Sequence, residues 1–205
     1  MDAFLKTWYG IVAFALFDTL AFFAIVCITY RWLFKRIFDF LSASVCLVVL
    51  SPIFLVIAIR GKSAKKRGEI ERLVATEEFV CKKGRVKDLH AFSYENENGE
   101  IAGKYGAWLA RTGLFKLLRL WDIWCGRLSF IGPRAFTELE CESLTDEQME
   151  RFLTKPGLIH PSSVQGETDA HSEYALELDQ KYAWNFSFFK DSYLFCAWLL
   201  NKIRS

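Results

Sequence analysis

At 205 residues and 52% apolar, the chain can build one modest domain plus membrane-associated segments and little more. Its formal net charge of +2 gives no reason to expect a nucleic-acid partner, so what matters is where the Lys and Arg residues sit. The cysteines (Cys27, Cys46, Cys81, Cys125, Cys141, Cys196) stand singly, with no Cys-x-x-Cys pair and no histidine at ligand spacing. Neither a zinc site nor a disulfide framework follows, and reduced structural thiols are the expectation.

From Thr7 to Tyr30 the chain is almost wholly apolar and long enough to cross a bilayer as a helix. It lacks a small-residue cleavage site, which predicts a retained anchor rather than a removed signal peptide. Asp18 is the only formal charge in the stretch. A carboxyl group at that depth needs a partner or a proton, so Asp18 is a candidate contact with another helix. A buried helix of a soluble protein has the same composition, but a chain this short could hardly bury it together with the next apolar segment.

That second segment, Ile37 to Ile59, contains Asp39 and is interrupted by Ser51-Pro52. Arg31, Lys35 and Arg36 flank it on one side; Arg60, Lys62, Lys65, Lys66 and Arg67 flank it on the other. Positive charge collects on the cytoplasmic side, so a full crossing would put one basic cluster on the wrong face. Proline removes a backbone donor and clashes with the preceding turn, and the Ser51 hydroxyl can serve the carbonyls so released. A helix that enters the inner leaflet, breaks at Ser51-Pro52 and returns satisfies both observations; a kinked spanning helix satisfies one. The predicted organisation is a transmembrane helix over 1–30, a re-entrant membrane helix over 31–60 and a cytoplasmic domain over 61–205, with membrane lipid as a partner.

Beyond Arg60, the basic run Gly61 to Gly68 suits anionic headgroups or a solvated linker. Glu69 to Arg111 is mixed, with a turn expected at Asn96-Glu97-Asn98-Gly99 between two short extended pieces. Tyr105 to Trp124 has helical spacing, with Trp108, Leu109, Leu114, Leu117, Leu118 and Trp121 on an apolar face and Arg111, Lys116 and Arg119 on a basic one. Thr145 and Gln148 form a capping box around Asp146-Glu147. Phe186 to Ile203 has the composition of an interfacial amphipathic helix or of a packed core helix. The fold class is α+β, mainly α.

At Leu128-Ser129-Phe130-Ile131-Gly132-Pro133-Arg134 the chain resembles the monotopic phosphoglycosyl transferases, or bacterial sugar transferases, whose pattern here reads Gly-Asp-Met-Ser-hydrophobic-hydrophobic-Gly-Pro-Arg-Pro. Lys35-Arg36-x-x-Asp39 with the break at Ser51-Pro52 resembles the family's re-entrant helix. Pro156-Gly157-Leu158 resembles its Pro-Gly-Ile-Thr-Gly segment, and Tyr182 with Asn185-Phe186-Ser187 its Tyr-x-x-Asn-x-Ser stretch. The resemblance covers Arg31 to the end. It implies transfer of a sugar 1-phosphate from a nucleotide diphosphate sugar to polyprenyl phosphate at the bacterial inner membrane, with magnesium and an Asp-Glu pair. That pair serves as nucleophile and metal ligand.

The chain departs from the pattern where the chemistry lies. The family's Thr-Ser-Leu-Asp-Glu-Leu-Pro-Gln-Leu aligns without gaps to Thr112-Gly113-Leu114-Phe115-Lys116-Leu117-Leu118-Arg119-Leu120, so the Asp is Phe115 and the Glu is Lys116. A phenyl ring cannot attack phosphorus, and an ammonium group repels a metal. The family's Tyr-Lys-Phe-Arg-Ser-Met is reduced to Phe92-Ser93-Tyr94-Glu95-Asn96. The Arg before the dyad aligns with Ala110 beside Arg111, and the Thr-Gly-Leu-Ala-Gln-Val run reads His160-Pro161-Ser162-Ser163-Val164-Gln165. Arg111 and Arg134 are left as phosphate-binding candidates, Arg134 alternatively holding the fold through a carboxylate. Asp122 is expected at the surface. The resemblance then implies a non-catalytic member, with no metal and no cofactor of its own, that pairs with an active relative in exopolysaccharide or glycoconjugate initiation. The alternatives are a working transferase with a rearranged site at Asp122 or His160, and a lipid or nucleotide-sugar sensor.

Overall fold

The computed structural model describes residues 7–96 and 99–204. Helix α1 (Trp8–Thr29) is apolar all round, and its large side chains, among them Trp8, Phe17 and Phe22, are exposed. Asp18 is exposed among them. Among the described residues no single helix is long and apolar enough to cross a membrane; the apolar part of α1 runs Ile11–Val26. A π turn (Tyr30–Phe34) leads into α2 (Lys35–Val49), and α3 (Ser51–Lys66) follows at a bend of 61°. Pro52 cannot donate into the preceding turn, which is why the axis breaks there. Ser51, expected to serve the released carbonyls, is exposed. Backbone donors serve the break instead: the Leu50 N–H donates to Cys46 O, and those of Ile53 and Phe54 donate to Leu50 O.

Both ends of the bent pair touch the folded body. At the far end of α3, Ile57 and Ala64 pack with Ile70, Phe92, Tyr105 and Leu109 in one core. In the middle of α2, Ala43 joins Phe79, Leu89, Leu120, Ile123 and Leu128 in a second. Near the break one face of the pair is exposed, at Val48, Val49, Leu55 and Val56, while Leu47, Leu50, Ile53 and Phe54 pack against the two cores.

Strands β1 (Val74–Val80) and β2 (Val86–Phe92) form an antiparallel hairpin with Val74 opposite Phe92 and Val80 opposite Val86. The expected turn at 96–99 closes only a single bridge, Glu95 to Ile101, and Glu97 and Asn98 lie outside the described residues. The helix expected over Tyr105–Trp124 is broken. Helix α4 (Gly103–Thr112) ends at Gly113, whose φ of 68° is left-handed and favours glycine; a 3₁₀ turn (Leu114–Leu118) and α5 (Arg119–Trp124) follow. Trp121, assigned to the apolar face, is 46% exposed and stacks on Trp124.

Strands β3 (Ser129–Ile131) and β4 (Gly157–Ile159) are parallel, Ser129 opposite Gly157 and Ile131 opposite Ile159. Short helices α6 (Glu138–Cys141) and α7 (Asp146–Met149) lie between them. The capping box at Thr145 and Gln148 is formed, and an unforeseen second one joins Thr137 and Glu140. Helices α8 (Pro161–Val164), α9 (Glu173–Trp184) and α10 (Phe188–Arg204) complete the chain. Helix α10 is the amphipathic element expected near the C-terminus: Asp191 and Leu194 are buried, while Phe189, Tyr193, Leu200 and Ile203 are exposed. Cys46, Cys81, Cys125, Cys141 and Cys196 are free thiols; the side chains of Cys27 and Arg31 lie outside the described residues.

The Gly132-Pro133-Arg134 loop is set by a buried ion pair. Arg151, 1% exposed, lies over Phe136 and donates to Asp179 Oδ2 at 2.6 Å and to Arg134 O at 3.0 Å. The Arg134 backbone N–H donates to the same carboxylate at 2.8 Å. Burial pushes the Asp179 carboxyl up, opposed by Arg151. Arg151→Met leaves that carboxylate buried without its cation, at a cost of ~3–5 kcal/mol. Thermal unfolding of the purified variant in detergent should show a large drop in midpoint, with Asp179→Asn combined with Arg151→Met recovering part of it.

Candidate functional site

The residues read as a re-entrant signature are turned inward. Lys35 and Asp39 stand one helical turn apart on α2, buried at 9% and 4% exposure. Lys35 Nζ donates to Ile131 O at 3.0 Å, Tyr182 Oη at 2.7 Å and Asp191 Oδ2 at 2.6 Å, which uses all three ammonium protons. Asp39 accepts from Ser129 Oγ at 2.7 Å and from the Phe130 N–H at 3.0 Å. Tyr30 and Tyr182 each donate a hydroxyl to Asp191, at 2.7 and 2.6 Å. Arg36 donates to Ile123 O and Trp124 O, the orphan carbonyls at the end of α5. Lys35 and Arg36, read above as part of the basic flank of the apolar segment, fasten α2 to β3, α5 and α10 together with Asp39.

The positions that align with the family's Asp-Glu pair lie on the 3₁₀ turn after Gly113. The Phe115 ring sits 4.5 Å from that of Tyr94, and the two line a cleft of about 630 Å³ whose walls include Glu71, Glu77, Glu95 and Arg119. Lys116 Nζ lies 5.4 Å from the Phe115 ring. Lys116 is exposed; partial desolvation and the nearby Arg119 and Arg134 guanidinium groups push its ammonium below the usual lysine range. Burial, then Arg134, Arg119 and Lys116, push His160 down to about 3, so its imidazole is neutral at physiological pH. Arg119 Nε and His160 Nδ1 are buried without hydrogen-bond partners. Lys116 and His160 therefore sit among cationic groups, beside a cleft whose acidic lining is Glu71, Glu77 and Glu95.

Arg134 contributes to this cluster, while its guanidinium makes one long bond to Thr168 O at 3.4 Å. It forms no carboxylate pair among the described residues; its role in the fold is carried by its backbone. Arg111 is exposed in the last turn of α4 and is not among the charges acting on Lys116 or His160. Arg119, read only as part of a basic face, takes the place beside Lys116. Its spacing of three residues after Lys116 was the available signal, since that is one turn of a 3₁₀ or α helix.

Asp122, expected at the surface, is fully buried. It accepts from the His90 backbone N–H at 2.8 Å and from Arg127 at 3.0 Å, and faces His90 Nδ1 at 2.7 Å. It ties α5 to the hairpin. Among the described residues no group of three or more His, Cys, Asp or Glu converges to hold a metal.

The chain matches the family described as bacterial sugar transferase over residues 30–204. It is 28% identical over 180 residues to the exopolysaccharide production protein ExoY of Rhizobium meliloti, an alignment covering 77% of this chain and 80% of that one. It is 28% identical over 174 residues to the UDP-glucose:undecaprenyl-phosphate glucose-1-phosphate transferase of Klebsiella pneumoniae, covering 77% of this chain and 37% of that one. A UDP-galactose-lipid carrier transferase of Erwinia amylovora is 31% identical over 98 residues, 48% of this chain and 20% of that one. The alignments thus span well under two thirds of the last two relatives. With a family match running from the π turn to the end of α10, the chain belongs to the bacterial sugar transferases.

Proposed function

We propose that this chain is a non-catalytic bacterial sugar transferase that pairs with an active relative at the inner membrane. There it stabilises or regulates the first step of exopolysaccharide or glycoconjugate synthesis on polyprenyl phosphate. The observation that carries the proposal is the cationic centre: Lys116, Arg119 and Arg134 gather around a neutral His160 where the resemblance calls for carboxylates. The residues at these positions do not fit magnesium. An ammonium and two guanidinium groups repel a divalent cation, and Phe115 offers neither a ligand nor a nucleophile.

The membrane reading rests on how the bent helix pair meets the rest of the chain. Lys35 and Asp39 bind β3 at one end, and Ile57 and Ala64 pack into the core at the other. Two ends held by one folded body stay on one side of a bilayer, which supports a re-entrant helix over 31–60 and a cytoplasmic domain over 61–205. The exposed apolar shell of α1, about 24 Å along Ile11–Val26 by helical rise, reaches the bilayer thickness of about 30 Å only with its flanking residues. A crossing α1 over 1–30 is part of the proposal. Asp18 on that shell is the proposed contact with a helix of the active relative.

Two measurements test this reading. Purified alone with UDP-sugars, magnesium and polyprenyl phosphate, the chain should release no nucleoside monophosphate above the protein-free blank; steady turnover would reject the proposal. Expressed with an active relative, it should co-purify with it. Asp18→Leu should lower the recovered complex about tenfold, as loss of one interhelical polar contact of ~1–2 kcal/mol requires. Equal recovery would remove Asp18 from the interface.

A further inference from the structure

A second cationic site lies away from Phe115 and Lys116, below the hairpin. A cavity of about 270 Å³ is lined by Arg36 and Asp39 of α2, Ser129, Thr154, Lys155 and the hairpin residue Lys82. The β1–β2 turn packs on the turn at Glu150–Leu153, which brings Lys82 over Lys155. Asp39 is already committed to Ser129 and Phe130, and Lys155 is in no ion pair among the described residues. Desolvation, Arg36, Lys87 and Lys82 push the Lys155 ammonium down to about 8, with Asp39 opposing. Half-buried charge without a counter-ion is costly, and an arriving anion would relieve it.

The place of the cavity says where that anion comes from. Just beyond Arg36 and Asp39, α2 exposes Ile37, Phe38, Phe40 and Leu41. Phe40 stacks on Trp124 at 5.5 Å and Trp124 on Trp121 at 4.9 Å, beside the Arg36 contact with α5. Indole rings at the junction of an apolar and a polar surface mark headgroup depth. The hairpin turn that carries Lys82 also carries Lys83 and Arg85, with Lys87 just beyond, and this positive charge repels the ammonium of a zwitterionic headgroup as it attracts a phosphate.

We propose that this cavity binds the phosphate of an anionic phospholipid headgroup, held by Lys155 and Lys82 with Arg36 adding charge. The proposal rests on the re-entrant reading of α2 and α3. It gives the hairpin a function: its basic tip fixes the depth of the cytoplasmic domain against the membrane surface.

The test uses the full chain purified in a non-ionic detergent and short-chain lipids, with binding measured by native mass spectrometry. Phosphatidylglycerol should bind saturably and phosphatidylcholine should not. Lys155→Gln and, at the exposed tip where folding is not at risk, Lys82→Gln should each weaken phosphatidylglycerol binding about fivefold. Lys104→Gln, exposed near the start of α4, should leave it unchanged. Equal binding of the two lipids, or equal loss in all three variants, would overturn the site. Competition by inorganic phosphate at concentrations comparable to the lipid would assign the cavity to a soluble anion and overturn the lipid assignment. The re-entrant reading is tested separately, by one-sided thiol labelling of Ser63→Cys in a cysteine-free background. Failure of one reading is thereby distinguished from failure of the other.

Discussion

The structure depends on one turn of α2. Lys35 and Asp39 together hold Ser129, Phe130 and Ile131, and through Lys35 the same turn reaches Asp191 on α10 and Tyr182 on α9. Every proton of the ammonium is used and the carboxylate accepts two donors, so the desolvation cost of burying both is offset by directed bonds. A helix whose outer face is apolar is thereby locked to a polar domain. Without that turn, the bent pair and the domain would share the Arg36 bonds to α5 and the packing around Ala43, Ile57 and Ala64.

That constraint explains why the scaffold and the chemistry are separable. The clamp from Lys35 and Asp39 and the Arg151–Asp179 pair bond to neither Phe115 nor Lys116, so the fold is held by residues other than these two. At Phe115 and Lys116 stand a ring tilted against Tyr94 and an ammonium near two guanidinium groups. Cationic groups so placed attract anions and repel metal ions.

Local chemistry made part of this legible in the sequence. The apolar runs, the break at Pro52, the capping box at Thr145 and the C-terminal amphipathic helix each carry their own signal within a few residues. The hairpin did not, because its turn places Lys83 as well as Gly84 at positive φ, where Asn-Gly would have been the readable pair. The helix across Gly113 was overread, since the apolar spacing continues on both sides of the left-handed residue. For the site, the resemblance singled out Phe115 and Lys116, but not their neighbours. Arg134 and His160 reach Lys116 through the pairing of β3 with β4, and Lys35 meets Asp191 across 156 positions of chain. Asp122 was misplaced for the same reason, its partners His90 and Arg127 lying on a strand and a loop that only the fold brings to it.

The central claim is that no nucleophile remains to take up a sugar phosphate. Intact-protein mass spectrometry after incubation with UDP-sugars and magnesium, without polyprenyl phosphate, reads this directly. The account predicts an unshifted mass in every case, and a covalent adduct of one sugar phosphate would contradict it.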